Sequence, residues 1–197
     1  MLPVVNARAS QRRALRRQRR SLPAARRRQL EAALLGQLRR LLWRRFRRIG
    51  AYLPFDGEAD ITPLLRQLVA RGRHLALPRL EGRRGHMRYV AWHPDVPLSG
   101  NRYRIPEPDG MAARVDTFGL DLVLTPLVAF DATGTRLGMG AGYFDRHFAR
   151  LRNRGRWRRP LLVGVAFGFQ EVEHLERAAW DVPLAGVVTE SGFRPFD

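Results

Sequence analysis

From residue 49 onward, short apolar runs alternate with segments of helical periodicity, and this alternation restricts the fold more than any other feature of the chain. Residues 49–55, 74–78, 87–92, 161–167 and 186–189 read as strands bounded by turn-forming residues. Residues 120–130 (LDLVLTPLVAF), the most apolar stretch, suit one or two buried strands broken at Thr125-Pro126. Residues 60–71 predict a helix with Leu64, Leu65 and Leu68 on its buried side and Gly72 as its stop. Residues 143–151 and 171–179 predict two more helices, and residues 93–118, rich in Pro, Gly and Asp, read as an ordered long loop. Strands alternating with helices predict an α/β fold in three layers around a mainly parallel sheet.

The N-terminal part follows a different pattern. Leu15, Leu22, Leu30, Leu34, Leu38, Leu41 and Leu42 recur at helical spacing over residues 7–48, with a break at Pro23. Two helices docked on the body by these leucines are expected. With 197 residues and 45% hydrophobic composition, the chain is read as one domain, residues 1–197. It comprises a basic helical part (1–48) and an α/β body (49–197).

The net charge of +18 is concentrated in the helical part. Residues 1–50 carry 16 arginines against one acid, Glu31, whereas the body carries 20 arginines against 17 acids. Every cation is arginine. The absence of lysine excludes a lysine Schiff base and the GxxxxGK[ST] phosphate loop. The absence of cysteine excludes disulfides, thiolate zinc sites and a cysteine nucleophile. The longest apolar run, residues 161–167, is far short of the ~20 residues of a membrane span. No apolar segment follows Arg8, Arg12 and Arg13, so no secretory signal is read and a cytoplasmic protein is expected. The five histidines show no metal-ligand spacing.

Four segments can carry chemistry. In residues 136–146 (RLGMGAGYFDR), Gly138, Gly140 and Gly142 alternate before a predicted helix. Such a loop exposes backbone N–H groups that can wrap phosphate oxygens, or it is simply a tight connection needing positive φ angles. Asp145 reads as a helix-start cap or as a magnesium ligand. In residues 53–60 (LPFDGEAD) an acidic turn follows a strand, where α/β folds place ligands; Glu58 can hydrogen-bond an amino-heterocycle or be solvated. Asp181, before the last strand, is a second candidate metal carboxylate or a turn residue. Arg8, Arg12, Arg16 and Arg20 share one helix face and can reach a nucleotide triphosphate, although a clustered basic face is also the signature of nucleic-acid binding.

In order along the chain, these segments resemble the 5-formyltetrahydrofolate cyclo-ligase (methenyltetrahydrofolate synthetase) family. The resemblance rests on Arg8…Arg12…Arg20, Tyr52-Leu53…Glu58-Ala59-Asp60, Arg104-Ile105-Pro106-Glu107-Pro108 and Asp121–Asp131. It continues through Gly134–Asp145, Val163-Gly164-Val165-Ala166-Phe167…Gln170, Asp181-Val182-Pro183-Leu184 and Val187-Val188-Thr189. It implies an ATP- and magnesium-dependent ligase that closes 5-formyltetrahydrofolate to 5,10-methenyltetrahydrofolate through a phosphorylated formyl intermediate. It implies ATP contacts at Arg8, Arg12, Arg136, Leu137, Gly138, Met139, Gly140, Ala141, Gly142, Tyr143 and Phe144. The folate would meet Leu53, Glu58, Tyr103 and the loop from Met139 to Tyr143, and Asp145 and Asp181 would hold Mg2+. Arg136 and Tyr143 carry the catalytic expectation. The sequence departs from the family's pattern where Met139 or Ala141 replaces a basic residue and Arg8 replaces lysine. A polyglutamate tail on the folate would meet surface arginines, a monomer is favoured, and no specific nucleic acid or membrane partner is implied. A basic, nucleotide-responsive RNA-binding protein on a similar body is the competing reading.

Overall fold

A computed structural model of the chain describes residues 3–43, 45–82, 86–152 and 159–196. Helices α1 (Pro3–Arg20) and α2 (Ala24–Leu42) break at Pro23 as the sequence predicts. The body follows as β1 (Arg48–Gly50), α3 (Thr62–Ala70), β2 (His74–Glu81) and β3 (His86–Trp92). Next come β4 (Leu98–Gly100), β5 (Pro106–Pro108), β6 (Arg114–Val115) and β7 (Leu122–Pro126), then β8 (Ala129–Phe130) and β9 (Arg136–Leu137). The chain closes with α4 (Tyr143–His147), β10 (Leu161–Val165), β11 (Gly186–Thr189) and β12 (Gly192–Pro195).

Eight strands form the main sheet in the order β12-β11-β10-β7-β1-β2-β3-β6. The five from β11 to β2 run parallel, and β12, β3 and β6 add antiparallel edges. Ile49 of β1 sits between Leu75 of β2 and Leu122 of β7, so chain order reverses direction at β1. In open α/β sheets the crevice at such a reversal, beyond the strands' carboxyl ends, is where ligands bind.

Side chains alternate across the strands and build a core on each face. On one face Ile49, Leu122, Leu124 and Val163 pack against Leu34, Leu38 and Leu42 of α2 and Leu64, Leu65 and Leu68 of α3. On the other, Val123, Leu162 and Val187 meet Phe130, Phe148, Leu151 and Leu184. That second outer layer consists largely of short turns. α4 ends at His147 and only a 3-10 turn, Ala149–Leu151, continues it, so the helix expected over residues 143–151 is cut short.

The helix expected over residues 171–179 is absent. Its backbone is drawn outward instead: Val172 N–H donates to the Phe130 carbonyl (2.9 Å) and Leu175 N–H to Asp131 Oδ2 (2.9 Å). The strand expected over residues 49–55 is regular only through Gly50, and the loop expected over residues 93–118 contains a small hairpin, β4–β5. α2 docks by its leucines, as expected. α1 does not: apart from Leu15 it is fastened by guanidinium groups. Among the described residues no helix is long and apolar enough to cross a membrane.

Candidate active site

A cavity of about 450 Å3 opens at the carboxyl ends of β1 and β7, in the crevice of the strand-order reversal. Tyr52, Leu53, Phe55 and Glu58 line it from the segment after β1, and Pro126 lines it from β7. Gly138, Met139 and Ala141–Asp145 close it from the glycine loop. The β4–β5 hairpin brings Asn101, Tyr103, Ile105 and Glu107 over its other side.

On the β1 side, the chain turns at Asp56-Gly57, both at positive φ (53° and 78°). This turn folds Glu58 back, so that Phe55 N–H donates to its Oε2 (3.1 Å). The carboxylate is nearly buried, and its Oε1 receives no hydrogen bond among the described residues. Its nearest cation is the fully buried Arg19 guanidinium at 3.8 Å. Burial pushes the Glu58 carboxyl up to about 7, against the opposing pull of Arg19 and of the Phe55 N–H. A carboxylate with one unsatisfied oxygen facing an apolar cavity is a strong acceptor for the N–H groups of a flat heterocycle.

The glycine loop lies opposite. Gly140 and Gly142 hold φ of 103° and 66°, so part of the loop's glycine content is conformational, whereas Gly138 is not left-handed and a Cβ there would meet nothing within 4 Å. Arg12 Nε donates to the Gly138 carbonyl (2.8 Å), and its guanidinium covers Gly140. Desolvation, with Arg8 and Arg16 as neighbours, lowers the Arg12 pKa. Leu137 points away into a small core with Ala129 and Leu175.

Asp145 Oδ1 accepts from Arg136 Nη2 (2.6 Å) and from Val182 N–H (3.1 Å). It makes no cap bond to its own helix, so the cap reading is replaced by a link between α4 and the Asp181-Val182 segment. Arg136 is almost fully buried and also donates to the Val182 carbonyl. Its guanidinium therefore organises Asp145 and the residues beside Asp181 and is committed to protein acceptors. Asp181 Oδ2 accepts from Arg8 Nη2 (3.1 Å) and from Ala178 N–H (2.9 Å). Among the described residues no three His, Cys, Asp or Glu side chains gather into a metal cluster. Among the described residues, Asp145 and Asp181 each keep one oxygen without a protein donor. That donor set fits a hydrated magnesium ion, which takes one or two carboxylates and completes its shell with waters and phosphate oxygens.

At the hairpin tip, Asn101 Oδ1 accepts from Tyr103 N–H and Ile105 N–H, while its amide donates to Glu107 Oε2 (3.0 Å). The Tyr103 ring stands edge-on to Tyr143 with centroids 6.2 Å apart, and their hydroxyls meet at 3.4 Å. Arg102 also donates to the Tyr143 hydroxyl.

The structure thus brings Leu53, Glu58, Tyr103, Arg136, Gly138, Met139, Ala141, Gly142, Tyr143, Phe144 and Asp145 to one cavity. Arg8, Arg12, Gly140 and Asp181 lie at its loop side through the contacts above, and Leu137 lies in the core. Sequence reasoning missed Arg19, Asp56 and the buried Glu107. The acidic turn Asp56-Gly57-Glu58, which needs a cation to be buried, was the available signal for Arg19.

A three-layered α/β body with an apolar crevice at the strand-order reversal, a buried carboxylate on one wall and an arginine-gripped glycine loop on the other defines the class, an α/β enzyme with its ligand site beyond the carboxyl ends of a parallel sheet. The sequence model of the 5-formyltetrahydrofolate cyclo-ligase family matches residues 4–190, and the chain belongs to that family. It is 41% identical over 147 residues to the 5-formyltetrahydrofolate cyclo-ligase of Escherichia coli K12, covering 73% of this chain and 78% of that protein. It is 35% identical over 147 residues to the Haemophilus influenzae protein of the same name, covering 74% and 76%. The solved 5,10-methenyltetrahydrofolate synthetase of Aquifex aeolicus superposes with a TM-score of 0.81 at 33% identity, over 95% of this chain and 92% of that one.

Proposed function

We propose that the chain closes 5-formyltetrahydrofolate to 5,10-methenyltetrahydrofolate at the expense of ATP, releasing ADP and phosphate. Glu58 carries this reading: it is a nearly buried carboxylate with an open Oε1, facing the glycine loop across a single cavity. In the proposed pose the pterin's amino and ring N–H groups donate to Glu58, and its ring lies against Leu53. The formyl group then points toward Tyr103 and Tyr143. The ATP phosphates lie along Gly138–Gly142, with Arg12 and Arg8 balancing their charge.

The chemistry accounts for both substrates. An N-formyl amide is a poor electrophile, and its oxygen is a poor leaving group. Transfer of the γ-phosphoryl to that oxygen, breaking the bond to ADP, gives a formyl phosphate iminium. The 10-nitrogen attacks its carbon and gives up its proton, the C–O bond breaks, and phosphate departs with the oxygen and takes up that proton. Such a transfer asks the protein for positioning and charge neutralisation. Asp145 and Asp181 would hold magnesium, which supplies neutralisation of phosphate charge when bound. Arg136 keeps Asp145 in place, and the β4–β5 hairpin shields the reacting group from water.

The test is to mix the protein with 5-formyltetrahydrofolate and follow methenyltetrahydrofolate absorbance with ATP, magnesium, both or neither. Product is expected only with both. No product, together with RNA affinity that falls steeply with salt, would replace this reading with a nucleic-acid one.

A further inference from the structure

We propose that Arg19 is a positioning residue of the site: it fixes the Asp56–Glu58 turn against the sheet and sets a buried cation beside the Glu58 carboxyl. The proposal rests on the reading of Glu58 as the heterocycle contact.

The geometry carries it. Arg19 is 1% exposed, although it lies on the most arginine-rich helix of the chain. Its Nε donates to the Asp56 carbonyl (3.1 Å), Nη2 to Asp56 Oδ2 (3.2 Å) and Nη1 to the Leu127 carbonyl (3.0 Å) just past β7. One guanidinium therefore joins α1, the acidic turn and the carboxyl end of the central sheet. Leu127 is pinned from the other side as well, because Gln170 Nε2 donates to the same carbonyl (2.9 Å). Arg27 of α2 ties the turn again through the carbonyls of Gly57 and Arg19.

Arg19 also decides the local charge. A fully buried guanidinium demands an anion, and two carboxylates are in reach: Asp56 in direct contact and Glu58 at 3.8 Å. Asp56 is further held by Arg16 (2.7 Å) and Arg20 (3.4 Å), so it has cations to spare. Glu58 has few. The charges facing it are Arg19 and Arg16 from α1 and Asp56 from its own turn. From the segment after β1 comes the neutral phenol of Tyr52, and Glu31 of α2 is occupied by the Asp60 N–H. Desolvation favours the protonated acid, Asp56 reinforces that preference, and Arg19 is the largest charge opposing it. A protonated Glu58 would offer a weaker acceptor and lose the charge-assisted bonds on which its proposed role depends.

The experiment reads Glu58 directly. Protein labelled with 13C at glutamate carboxyl carbons is titrated by NMR, with Glu58 assigned by its loss in Glu58→Gln. In Arg19→Gln the Glu58 inflection is expected to rise by about one unit or more. The apparent KM for the folate at neutral pH should rise about tenfold and recover at alkaline pH. In Asp56→Asn, a milder change that frees Arg19 for Glu58, the inflection should fall. An inflection unmoved in both variants overturns the proposal, as does a KM raised equally at every pH, which marks a purely structural role. If Glu58→Gln itself binds folate normally, the substrate reading fails, while the NMR titration still decides what Arg19 does to Glu58.

Discussion

Arg136 Nη2 donates to Asp145 Oδ1 at 2.6 Å, with the guanidinium 3% exposed and the carboxylate 23% exposed. Breaking such a pair from one side strands a buried charge. Asp145→Asn should therefore cost about 2 kcal/mol, the usual penalty for a buried pair reduced for the exposure of the acid. The double variant Arg136→Met/Asp145→Asn should recover part of that loss. Urea unfolding of these two variants and of Arg136→Met alone measures the coupling, and additive losses would dissociate the two residues.

Magnesium binding needs a readout separate from folding. Calorimetric titration should show ADP binding to Asp145→Asn about tenfold more weakly in the presence of magnesium and nearly unchanged without it. Equal weakening under both conditions would leave Asp145 as a structural link only.

Glu58 predicts an unusual pH dependence of stability. Its carboxyl rises from 4.5 to about 7 on folding, so between these values the native state binds more protons than the unfolded chain. Its stabilising contribution is complete below about 4.5 and is lost as pH rises through 7. At pH 8 the penalty is about 3 kcal/mol as an upper bound. Glu58→Gln should be more stable than the wild type at pH 8 and nearly equal to it at pH 5. Burial of His147 lowers its pKa and acts with the opposite sign in this range, but it cancels in the comparison. Parallel stability curves for the two proteins would refute the prediction.

Gly138 separates ligand contact from backbone need. Gly138→Ala meets nothing within 4 Å and no left-handed φ, so its melting temperature should match the wild type while the KM for ATP rises about tenfold. Gly140→Ala, at φ 103°, should instead lose about 1–3 kcal/mol of stability. An unchanged KM in Gly138→Ala would remove phosphate from that part of the loop.

Arg12→Gln should raise the KM for ATP about tenfold, since a charged hydrogen bond is worth about 1.5–3 kcal/mol, and leave the KM for the folate nearly unchanged. Steady-state kinetics with each substrate varied in turn checks this. A larger effect on the folate would place Arg12 on the wrong side of the cavity.

What could be read from the sequence follows the strength of local signals. The parallel core was legible because β7 and β10 are apolar runs bounded by turn residues, and α2 was legible because its leucines repeat at helical spacing. The helix expected over residues 171–179 failed because Val172 and Leu175 also sit three apart when the backbone is extended, and Asp131 and Phe130 outbid the helix for its N–H groups. β12 escaped notice because Gly192-Phe193-Arg194-Pro195 has neither alternation nor length. At the site, the glycine loop and Glu58 stood out as motifs. Arg19 did not, since one buried arginine among 16 in the first 50 residues looks like another solvated cation until the acid it serves is located.

Fastening α1 through guanidinium groups gives the helix the properties of a ruler. Arg8 meets Asp181, Arg12 meets the Gly138 carbonyl, and Arg19 meets Asp56 and the Leu127 carbonyl, all from one rigid rod. At 1.5 Å of rise per residue, the outermost two of these grips are separated by about 16 Å along the axis. The spacing between the two walls of the cavity is thus written in residue count. Adding one residue between Arg12 and Arg16 would advance one end by about 1.5 Å and swing it through about 100°. The walls would lose their common register even though every arginine was still present.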